Sequence, residues 1–299
     1  MKIVDAHYHL WDLKLNNYPW LNEAKNSQNK TALDNNYLVD DFNKDIGNLD
    51  VTKGVHIQAE LDHNIDPVVE TKWLQSIADN TSSNQMPNAI IGYANFSFDN
   101  IRKTLLEHQE YANFRGIRQI LNYSDEDPSL NVYVDVDRNL MRDNKWQDGF
   151  SVLDEMNLLF DLQIWPSQMQ DASQLMSDFK EVQFILNHTG CPLQNGNSED
   201  RKTWMNGMKQ LSLHENIAVK ISGLFMRSSD KYNETKAIIE ETLNLFGVNR
   251  SFFASNFPVD SLKIGYEELW NYFDEITAKY AISEKEKLFY KNAEKFYKI

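Results

Sequence analysis

The stretch LLFDLQIWPSQMQDASQLMSDFKEVQFILNHTG, residues 158–190, contains one complete repeat of the pattern that decides the fold. It begins with the short apolar run LLFDLQIWP, continues with the helix-like segment DASQLMSDFK and ends with a second apolar run, VQFILNHTG. Short, nearly continuous apolar runs are typical of parallel strands that are covered on both faces. The stretch therefore predicts a strand, a helix and a second strand parallel to the first.

The same alternation extends in both directions along the chain. Helix-like segments separate eight apolar runs, which are KIVDAHYH, KGVHIQAE, AIIGYANF, FRGIRQIL, LLFDLQIWP, VQFILNHTG, IAVKISGL and SFFASNFPVD. Asp66 is a plausible N-cap of one helix, with Pro67 in the first turn, and Gly247 is placed to end another. Eight strand–helix units predict an α/β protein with a (β/α)8 TIM barrel.

The first connection, residues 10–50, is long, polar and rich in Asn, and it carries Tyr18, Trp20 and Tyr37. A loop of this length in a compact domain is usually functional or contains short elements of its own. Because aromatic side chains are costly to leave in water, we expect the loop to cover the barrel mouth or to form a subunit contact. No linker or internal repeat divides the chain, so we predict one domain over residues 1–299.

The composition excludes several classes of partner. Apolar residues make up 41% and charged residues 25% of the chain, with a net charge of −14, which argues against nucleic acid and anionic membranes. A small anionic substrate stays compatible with this charge, because a local cationic pocket can override the global sign. Cys191 is the single cysteine and rules out an internal disulfide, and no signal peptide or membrane-length apolar run is found. We expect a cytoplasmic protein, and a homo-oligomer stays open.

Polar residues recur near the carboxyl ends of the apolar runs, where TIM barrels carry their chemistry. They are His7, His9, His56, Gln58, Glu60, Arg118, Asp161, Gln163, Trp165, His188, Lys220, Ser222 and Asn256. Buried polar groups are costly unless they bond to each other or to a ligand. Their recurrence at one end of most strands predicts a cleft lined by His7, His9, Arg118, His188 and Asn256.

Several of these residues have a structural alternative. His7 and His9 share one face of a strand and can hold a metal or share a proton, unless the segment is a polar loop. The Arg118 guanidinium suits anionic oxygens but could pair with a carboxylate of the barrel wall. Lys220 either binds substrate oxygens or is a structural charge inside the barrel. His56 is expected to be a core histidine, and His63, His108 and His214 are expected to face solvent.

These motifs, in order along nearly the whole chain, resemble a known family. They are VDAHYHLWD…YPWL, HIQAE…ETKWL, FRGIRQIL, FDLQIWP, HTGCP, VKISGL, ASNFPVD and NAEKFY. The chain resembles the amidohydrolase-related branch of the amidohydrolase superfamily, and the sugar-acid lactonases such as L-fuconolactonase and L-rhamnonolactonase are the closest grouping. The 2-pyrone-4,6-dicarboxylate lactonases are more distant. The resemblance implies a (β/α)8 barrel and hydrolysis of a C–O bond in a cyclic ester.

The resemblance also implies roles for particular residues. His7, His9 and His188 occupy the positions that surround the scissile carbonyl in the family. The family's usual GSDWP reads ASNFP here, so Asn256 stands where an acidic residue normally activates the attacking water. An amide cannot act as a general base. The candidates for that task are therefore Asp260, Glu60 or His188, unless the activity is weakened or altered.

The same substitution bears on the metal. The fifth-strand ligand of the family's metal-binding members corresponds to Gln163, which is a poor zinc ligand. Three imidazoles, from His7, His9 and His188, can still hold zinc together with a water. We expect that no cofactor is required, with one zinc or another divalent metal on these three histidines as the alternative. Without a metal, the histidines would polarise the carbonyl by hydrogen bonds.

The first hypothesis is a lactonase that acts on a small anionic or polyhydroxylated substrate, most simply a sugar-acid lactone. In it, His7, His9 and His188 polarise the carbonyl and Asn256 orients water or substrate. The expected substrate contacts are Tyr8, Trp11, Gln58, Arg118, Gln163, Trp165 and Lys220. The alternatives are a metal-dependent decarboxylase of the same superfamily and a binding protein that lost its base at Asn256.

Overall fold

Eight strands follow one another around the sheet in a computed structural model of the chain, which describes residues 1–22, 33–80, 86–127, 136, 138–192, 198–226 and 232–299. The sheet order is β1 to β8 in sequence, and the recorded strand pairs are parallel. The strands are β1 Ile3–Tyr8, β2 Val51–Ile57, β3 Ala89–Gly92, β4 Phe114–Ile117, β5 Leu159–Leu162, β6 Phe184–Leu186, β7 Ile217–Ile221 and β8 Ser251–Phe253. The predicted (β/α)8 fold class is confirmed, and each strand is shorter than the apolar run that predicted it.

Helices connect the strands and close the chain. They are α1 Pro19–Asn22, α2 Val39–Ile46, α3 Val68–Ala78, α4 Ile101–Gln109, α5 Asn144–Glu155, α6 Met169–Asp178, α7 Ser198–Ser212, α8 Asn233–Phe246, α9 Tyr266–Ile276, α10 Ile282–Glu286 and α11 Asn292–Tyr297, with a π-helical segment, Lys287–Lys291, between the last two. The Asp66 carboxylate accepts a 3.0 Å bond from the Val68 amide at the start of α3. Gly247, with φ of 69°, ends α8. The predicted end of α8 is confirmed, whereas α3 begins at Val68, one residue after the predicted first helical position at Pro67.

The chain forms two compact units. The first unit comprises Met1–Tyr93, Glu107–Arg115 and Phe252–Ile299, and the second comprises Ala94–Leu106 and Gly116–Ser251. The single domain over residues 1–299 stays a prediction.

In the first unit, the long first loop contains α1 and α2 and packs on the segment that follows β2. A loop cluster of buried side chains, formed by Trp11, Tyr18, Leu21, Leu33, Ala59 and Leu61, holds it there. The Trp20 indole donates a 2.8 Å bond to the Ala59 carbonyl, and Trp11 forms an antiparallel bridge with Tyr37. The aromatic residues of the first loop therefore pack in a small core that the loop forms with the segment after β2. Residues 23–32 of the loop lie outside the described part, and its predicted role over the barrel mouth or in a subunit contact stays a prediction.

In the second unit, a buried aromatic cluster fills the layer between strands and helices. It consists of Phe96, Trp146, Phe150, Phe160 and Phe184. Gly149 of α5 lies so close to this layer that an added Cβ would sit 1.9 Å from the Phe96 carbonyl oxygen. Glycine is therefore required at this helix position by packing, although it lowers helix propensity. In the described ranges, no helix is both long and apolar enough to cross a membrane.

Candidate active site

The two histidines of the first strand converge on one point. His7 is fully buried and His9 is 5% exposed, and their Nε2 atoms lie 3.2 Å apart. Tyr8 between them stacks on Phe42 of α2, with ring centroids 4.2 Å apart. The alternation of side chains along β1 therefore brings the two imidazoles together and sends the intervening ring towards the helix layer. The predicted shared face of His7 and His9 is confirmed.

Hydrogen bonds define which nitrogen of each ring carries a proton. His9 Nδ1 lies 2.7 Å from the Ile57 carbonyl oxygen. Because a carbonyl can only accept, His9 Nδ1 carries the hydrogen, and its Nε2 holds the lone pair in the neutral ring. In a neutral pair, the hydrogen between the two Nε2 atoms then belongs to His7. The pair thus forms one N–H···N hydrogen bond from His7 to His9 at the end of β1.

Tyr8 and Trp11 require a correction. Both side chains are fully buried, the first against Phe42 and the second inside the loop cluster, where its indole donates a 2.8 Å bond to the Asn35 carbonyl. The expectation that they form walls of a substrate cleft is therefore wrong. The reason is that alternation turns Tyr8 to the helix side, while the aromatic residues of the loop supply Trp11 with a core of its own.

Asn256 lies beside the two histidines. Its backbone amide donates a 2.8 Å bond to the His7 carbonyl, and the His9 amide donates a 2.8 Å bond to the Phe257 carbonyl. Its backbone is left-handed, with φ of 60°. Its side-chain nitrogen donates a 2.7 Å bond to the fully buried Asp260 carboxylate, which fixes the amide and turns its oxygen away from Asp260. The structure thus brings together His7, His9 and Asn256.

Asp5 is a buried carboxylate that the sequence analysis missed. It accepts bonds from the Ser255 amide at 2.9 Å, the Ser255 hydroxyl at 2.6 Å and the Tyr266 hydroxyl at 2.9 Å, and so ties β1 to the segment after β8. Burial raises the pKa of Asp5 to about 6, against the opposing effect of these hydrogen bonds. The signal was present in the sequence, because a carboxylate inside an apolar strand two residues before His7 needs buried partners.

The segment after β2 carries a second polar group. Glu60 has a left-handed backbone, with φ of 59°, and its amide donates a 2.6 Å bond to the Gln58 side-chain oxygen. The Gln58 side-chain nitrogen donates to one Glu60 oxygen, and His63 Nε2 lies 3.2 Å from the other. The His63 ring stacks on Tyr93, with centroids 4.1 Å apart and an interplanar angle of 6°. Gln58 is therefore a hydrogen-bond partner of Glu60. Its predicted contact with the substrate stays a prediction.

Two other histidines of this unit are structural. His56 Nε2 accepts a 2.8 Å bond from the Leu10 amide, as expected for a core histidine. His108 is fully buried between Thr71 and the Tyr93 carbonyl, so the expectation that it faces solvent is wrong. Burial lowers the pKa of His108 to about 4. His108 lies on the buried face of α4, where both of its ring nitrogens bond to protein groups instead of water.

In the second unit, His188 follows β6 in a left-handed conformation, with φ of 52°. Its Nδ1 lies 2.9 Å from the Ser222 hydroxyl. Gly223, with φ of 66°, permits this approach, because a Cβ there would lie 2.6 Å from His188 Nδ1. A hydroxyl and a glycine after β7 therefore fix the plane of the His188 ring.

Arg118 and Gln163 are paired after β4 and β5. The Arg118 guanidinium donates a 3.1 Å bond to the Gln163 side-chain oxygen, and both residues are buried. Trp165 is also buried, and its amide donates a 3.0 Å bond to the Gln168 side chain. The alternative in which Arg118 pairs with a wall carboxylate stays a prediction. Substrate contacts of the three residues stay predictions.

Lys220 forms an ion pair with Asp161. The ammonium and carboxylate lie 2.5 Å apart, and neither side chain is exposed. This is the structural charge considered as the alternative for Lys220. Its predicted contact with substrate oxygens is untested by this geometry. The predicted cleft formed jointly by His7, His9, Arg118, His188 and Asn256 likewise stays a prediction.

The donor set does not fit a tightly held divalent metal. Catalytic zinc sites use three protein ligands, and in the described part of the chain no three or more His, Cys, Asp or Glu side chains are grouped to hold an ion. Asn256 offers an amide whose nitrogen is committed to Asp260. The Gln163 oxygen accepts from the cationic Arg118, whose charge opposes a metal ion.

Comparisons with known proteins agree with this architecture. A family model described as amidohydrolase matches residues 4–299. An uncharacterised protein of Sinorhizobium fredii is 40% identical over 301 residues, covering 99% of this chain and 98% of that protein. L-Fucono-1,5-lactonase of Burkholderia multivorans is 21% identical over 277 residues, covering 89% of this chain and 85% of the lactonase.

Solved structures agree in fold. An amidohydrolase from Burkholderia multivorans crystallised with HEPES is 18% identical, covers 100% of both chains and gives a TM-score of 0.83. The crystal form of a Burkholderia multivorans amidohydrolase with bound zinc gives 19% identity and a TM-score of 0.82, again over 100% of both chains. Because the family match spans residues 4–299 and the fold is shared, the chain belongs to the amidohydrolase family, which confirms the family, the fold and the enzyme class of hydrolase predicted from the sequence.

Proposed function

We propose that this protein hydrolyses a small, oxygen-rich cyclic ester, a sugar-acid lactone in the simplest case. The observation that carries the proposal is the pair of His7 and His9 Nε2 atoms, 3.2 Å apart at the end of β1 and beside Asn256. Two relatives named L-fucono-1,5-lactonase, each 21% identical to this chain, support the lactone as the substrate class.

In the proposed reaction, water adds to the lactone carbonyl and the ring C–O bond then breaks. The carbonyl oxygen gains negative charge in the transition state and is stabilised by a preorganised N–H donor. In this proposal, His7 Nε2–H, which bonds to the acceptor His9 Nε2 in the structure, donates to the carbonyl oxygen once the substrate is bound. The Asn256 amide, held by Asp260, directs its oxygen to water or substrate rather than removing a proton.

Arg118 is the proposed ligand for anionic or hydroxyl oxygens of the substrate. Its guanidinium is a planar fork of N–H donors, which suits anionic and hydroxyl oxygens, and one of these donors bonds to Gln163. Gln163 and Trp165 follow β5 and are the proposed neighbours of this contact, and His188 is the proposed further contact to the reacting carbonyl. Gln58 and Lys220 keep the same proposed role towards substrate oxygens.

We further propose that turnover needs no tightly bound metal. The support comes from donor chemistry: Asn256 replaces a carboxylate, and Gln163 faces a guanidinium. The substrate is a small molecule, and the net charge of −14 disfavours nucleic acid and anionic membranes as partners. The single cysteine is compatible with the cytoplasm, which is the proposed compartment.

The test is a panel of aldonolactones assayed with and without a chelator. We expect turnover that resists chelation, and a loss of about 10² to 10³ in kcat in His7→Gln, the size found for removal of one oxyanion donor. His214→Gln is the matched control, because His214 is only partly buried and bonds to the Ser173 hydroxyl. Binding without turnover would favour the non-catalytic relative, and chelator-sensitive release of carbon dioxide from aromatic acids would favour the decarboxylase.

A further inference from the structure

The proposed hydrolysis requires a proton acceptor for the attacking water, and the Asn256 amide cannot serve. We propose that Glu60 is this acceptor and that His63 is its proton-relay partner. The proposal rests on the proposed function and assigns the general base of that reaction.

Glu60 follows β2, the strand next to the one that carries the paired histidines. The β1 and β2 strands are adjacent and parallel, and His9 Nδ1 donates to the Ile57 carbonyl, three residues before Glu60. Carboxyl ends of neighbouring parallel strands meet at the same edge of a sheet. The Glu60 side chain is 11% exposed, so its carboxylate is held by protein and still open to water.

The carboxylate is held in place from both sides. Gln58 donates to one oxygen of Glu60 and accepts from the Glu60 backbone amide at 2.6 Å. This arrangement requires a left-handed backbone, with φ of 59°, which is uncommon for a glutamate. Strained conformations of this type persist where the surrounding structure enforces them and concentrate at functional sites. Asn256, next to His7, shares the same conformation.

His63 completes a carboxylate–imidazole pair. Its Nε2 lies 3.2 Å from the second Glu60 oxygen, and its side chain is 24% exposed. Stacking on Tyr93, with an interplanar angle of 6°, fixes the plane of the ring. An imidazole in this position can take the proton that Glu60 receives and exchange it with solvent, because its side chain is partly exposed.

Asp260 is the competing carboxylate, and its surroundings argue against it. It is fully buried and already accepts a 2.7 Å bond from the Asn256 side chain. A base that removes a proton from water must reach that water. Asp260 therefore acts as a positioning residue that orients the Asn256 amide.

The proposed step balances. As the water oxygen forms its bond to the lactone carbonyl carbon, the water proton moves to the Glu60 carboxylate. The tetrahedral intermediate then collapses, the ring C–O bond breaks, and the leaving oxygen takes a proton back from Glu60 or from His63. The product is the open-chain hydroxy acid, and no redox change occurs.

The experiment compares Glu60→Gln, Glu60→Gly, His63→Gln and Asp260→Asn with the wild type on the best lactone of the panel. Glycine suits a left-handed position, so Glu60→Gly is expected to fold with an unchanged or higher melting temperature. We expect Glu60→Gln to lower kcat by about 10² to 10³ with little change in KM. Added formate should restore activity to Glu60→Gly and leave the wild type unaffected, and His63→Gln should shift the pH–rate profile.

Full kcat in Glu60→Gln, with the acid limb of the profile lost in Asp260→Asn, would overturn the proposal and leave the lactonase function standing. A raised KM in Glu60→Gln, without formate rescue of Glu60→Gly, would assign Glu60 to substrate binding and also overturn it. A wild type that turns over none of the lactones would remove the proposed function and the base assignment together.

Discussion

The side-chain nitrogen of Asn256 donates a 2.7 Å hydrogen bond to the buried carboxylate of Asp260. The two residues are four positions apart, and the Asp260 amide also bonds to the Asn256 carbonyl at 3.1 Å. An amide and a carboxylate form a matched donor and acceptor, whereas two carboxylates at this distance would repel. The asparagine in place of the family's acid is therefore part of a local pair, and Asp260 supplies a carboxyl group one turn later.

The first prediction concerns Asn256→Asp. The new carboxylate would face Asp260 across the distance now spanned by a hydrogen bond, and the two groups would share a proton in two coupled steps. We expect a loss of about 1 to 3 kcal/mol in the free energy of unfolding at neutral pH, because the two carboxyl groups must either take up a proton or repel each other. The rate–pH profile should gain a limb, and zinc affinity should rise because a carboxylate favours a cation. Denaturant unfolding, a pH–rate profile and a zinc titration measure the three effects.

The matched control for this change is the exchanged pair, Asn256→Asp with Asp260→Asn. It retains one amide, one carboxylate and the hydrogen bond between them, now with the donor on the other side. We expect most of the lost stability to return in this double variant. If the exchanged pair is no more stable than Asn256→Asp alone, repulsion between the two carboxylates is not the cause.

The second prediction concerns pH and His108. Its pKa is lowered to about 4 in the folded protein, below the ordinary value of 6.5, because burial disfavours the charged ring. A lowered pKa of this kind contributes stability that is complete above pH 6.5 and is lost as the pH falls towards 4. We expect wild type to lose about 3 kcal/mol more than His108→Gln between these limits. Urea unfolding at several pH values measures the difference, and a His214→Gln variant, with a more exposed ring, should retain nearly the wild-type slope.

The third prediction tests close packing at Gly149 in α5. Alanine has the higher helix propensity by about 1 kcal/mol, but its Cβ would lie 1.9 Å from the rigid Phe96 carbonyl. We expect Gly149→Ala to lower the free energy of unfolding by about 2 to 4 kcal/mol. Gly265→Ala is the control: the nearest atoms to its Cβ would be those of the Glu268 side chain at 3.9 Å, so a change within about 1 kcal/mol is expected. Equal losses in both variants would contradict the role of the backbone contact.

Periodicity predicted the parts of this structure that depend on local pattern. Eight apolar runs became eight strands, and the shared face of His7 and His9 followed from the two-residue repeat. The same repeat places Tyr8 on the helix side of β1, opposite the two histidines. The expectation that Tyr8 lines the substrate cleft did not take this alternation into account.

Other features required three-dimensional information. The left-handed backbone of Glu60 has no signal in residue type, and those of His188 and Asn256 have a weak one, because Asn and His are enriched in this conformation although glycine usually marks it. The Arg118–Gln163 contact joins residues 45 positions apart, and the inward turn of His108 depends on helix packing. The pairing of Asn256 with Asp260 was within reach, since the two residues are one helical turn apart in sequence.

The fourth prediction separates the structural and functional roles of Lys220. Its ion pair with Asp161 is fully buried, at 2.5 Å, so removing one partner leaves an uncompensated charge in the interior. We expect Lys220→Met to lower the free energy of unfolding by about 3 to 5 kcal/mol. The double variant Lys220→Met with Asp161→Leu removes both charges and should recover most of that loss, because hydrophobic replacement of a buried pair is often neutral. Chemical denaturation of the single and double variants measures the loss of stability.

The functional role of Lys220 is measured by the KM of the double variant on the best lactone. An unchanged KM identifies Lys220 as a structural charge. A tenfold rise, equivalent to about 1.4 kcal/mol of lost binding, identifies it as a ligand of substrate oxygens.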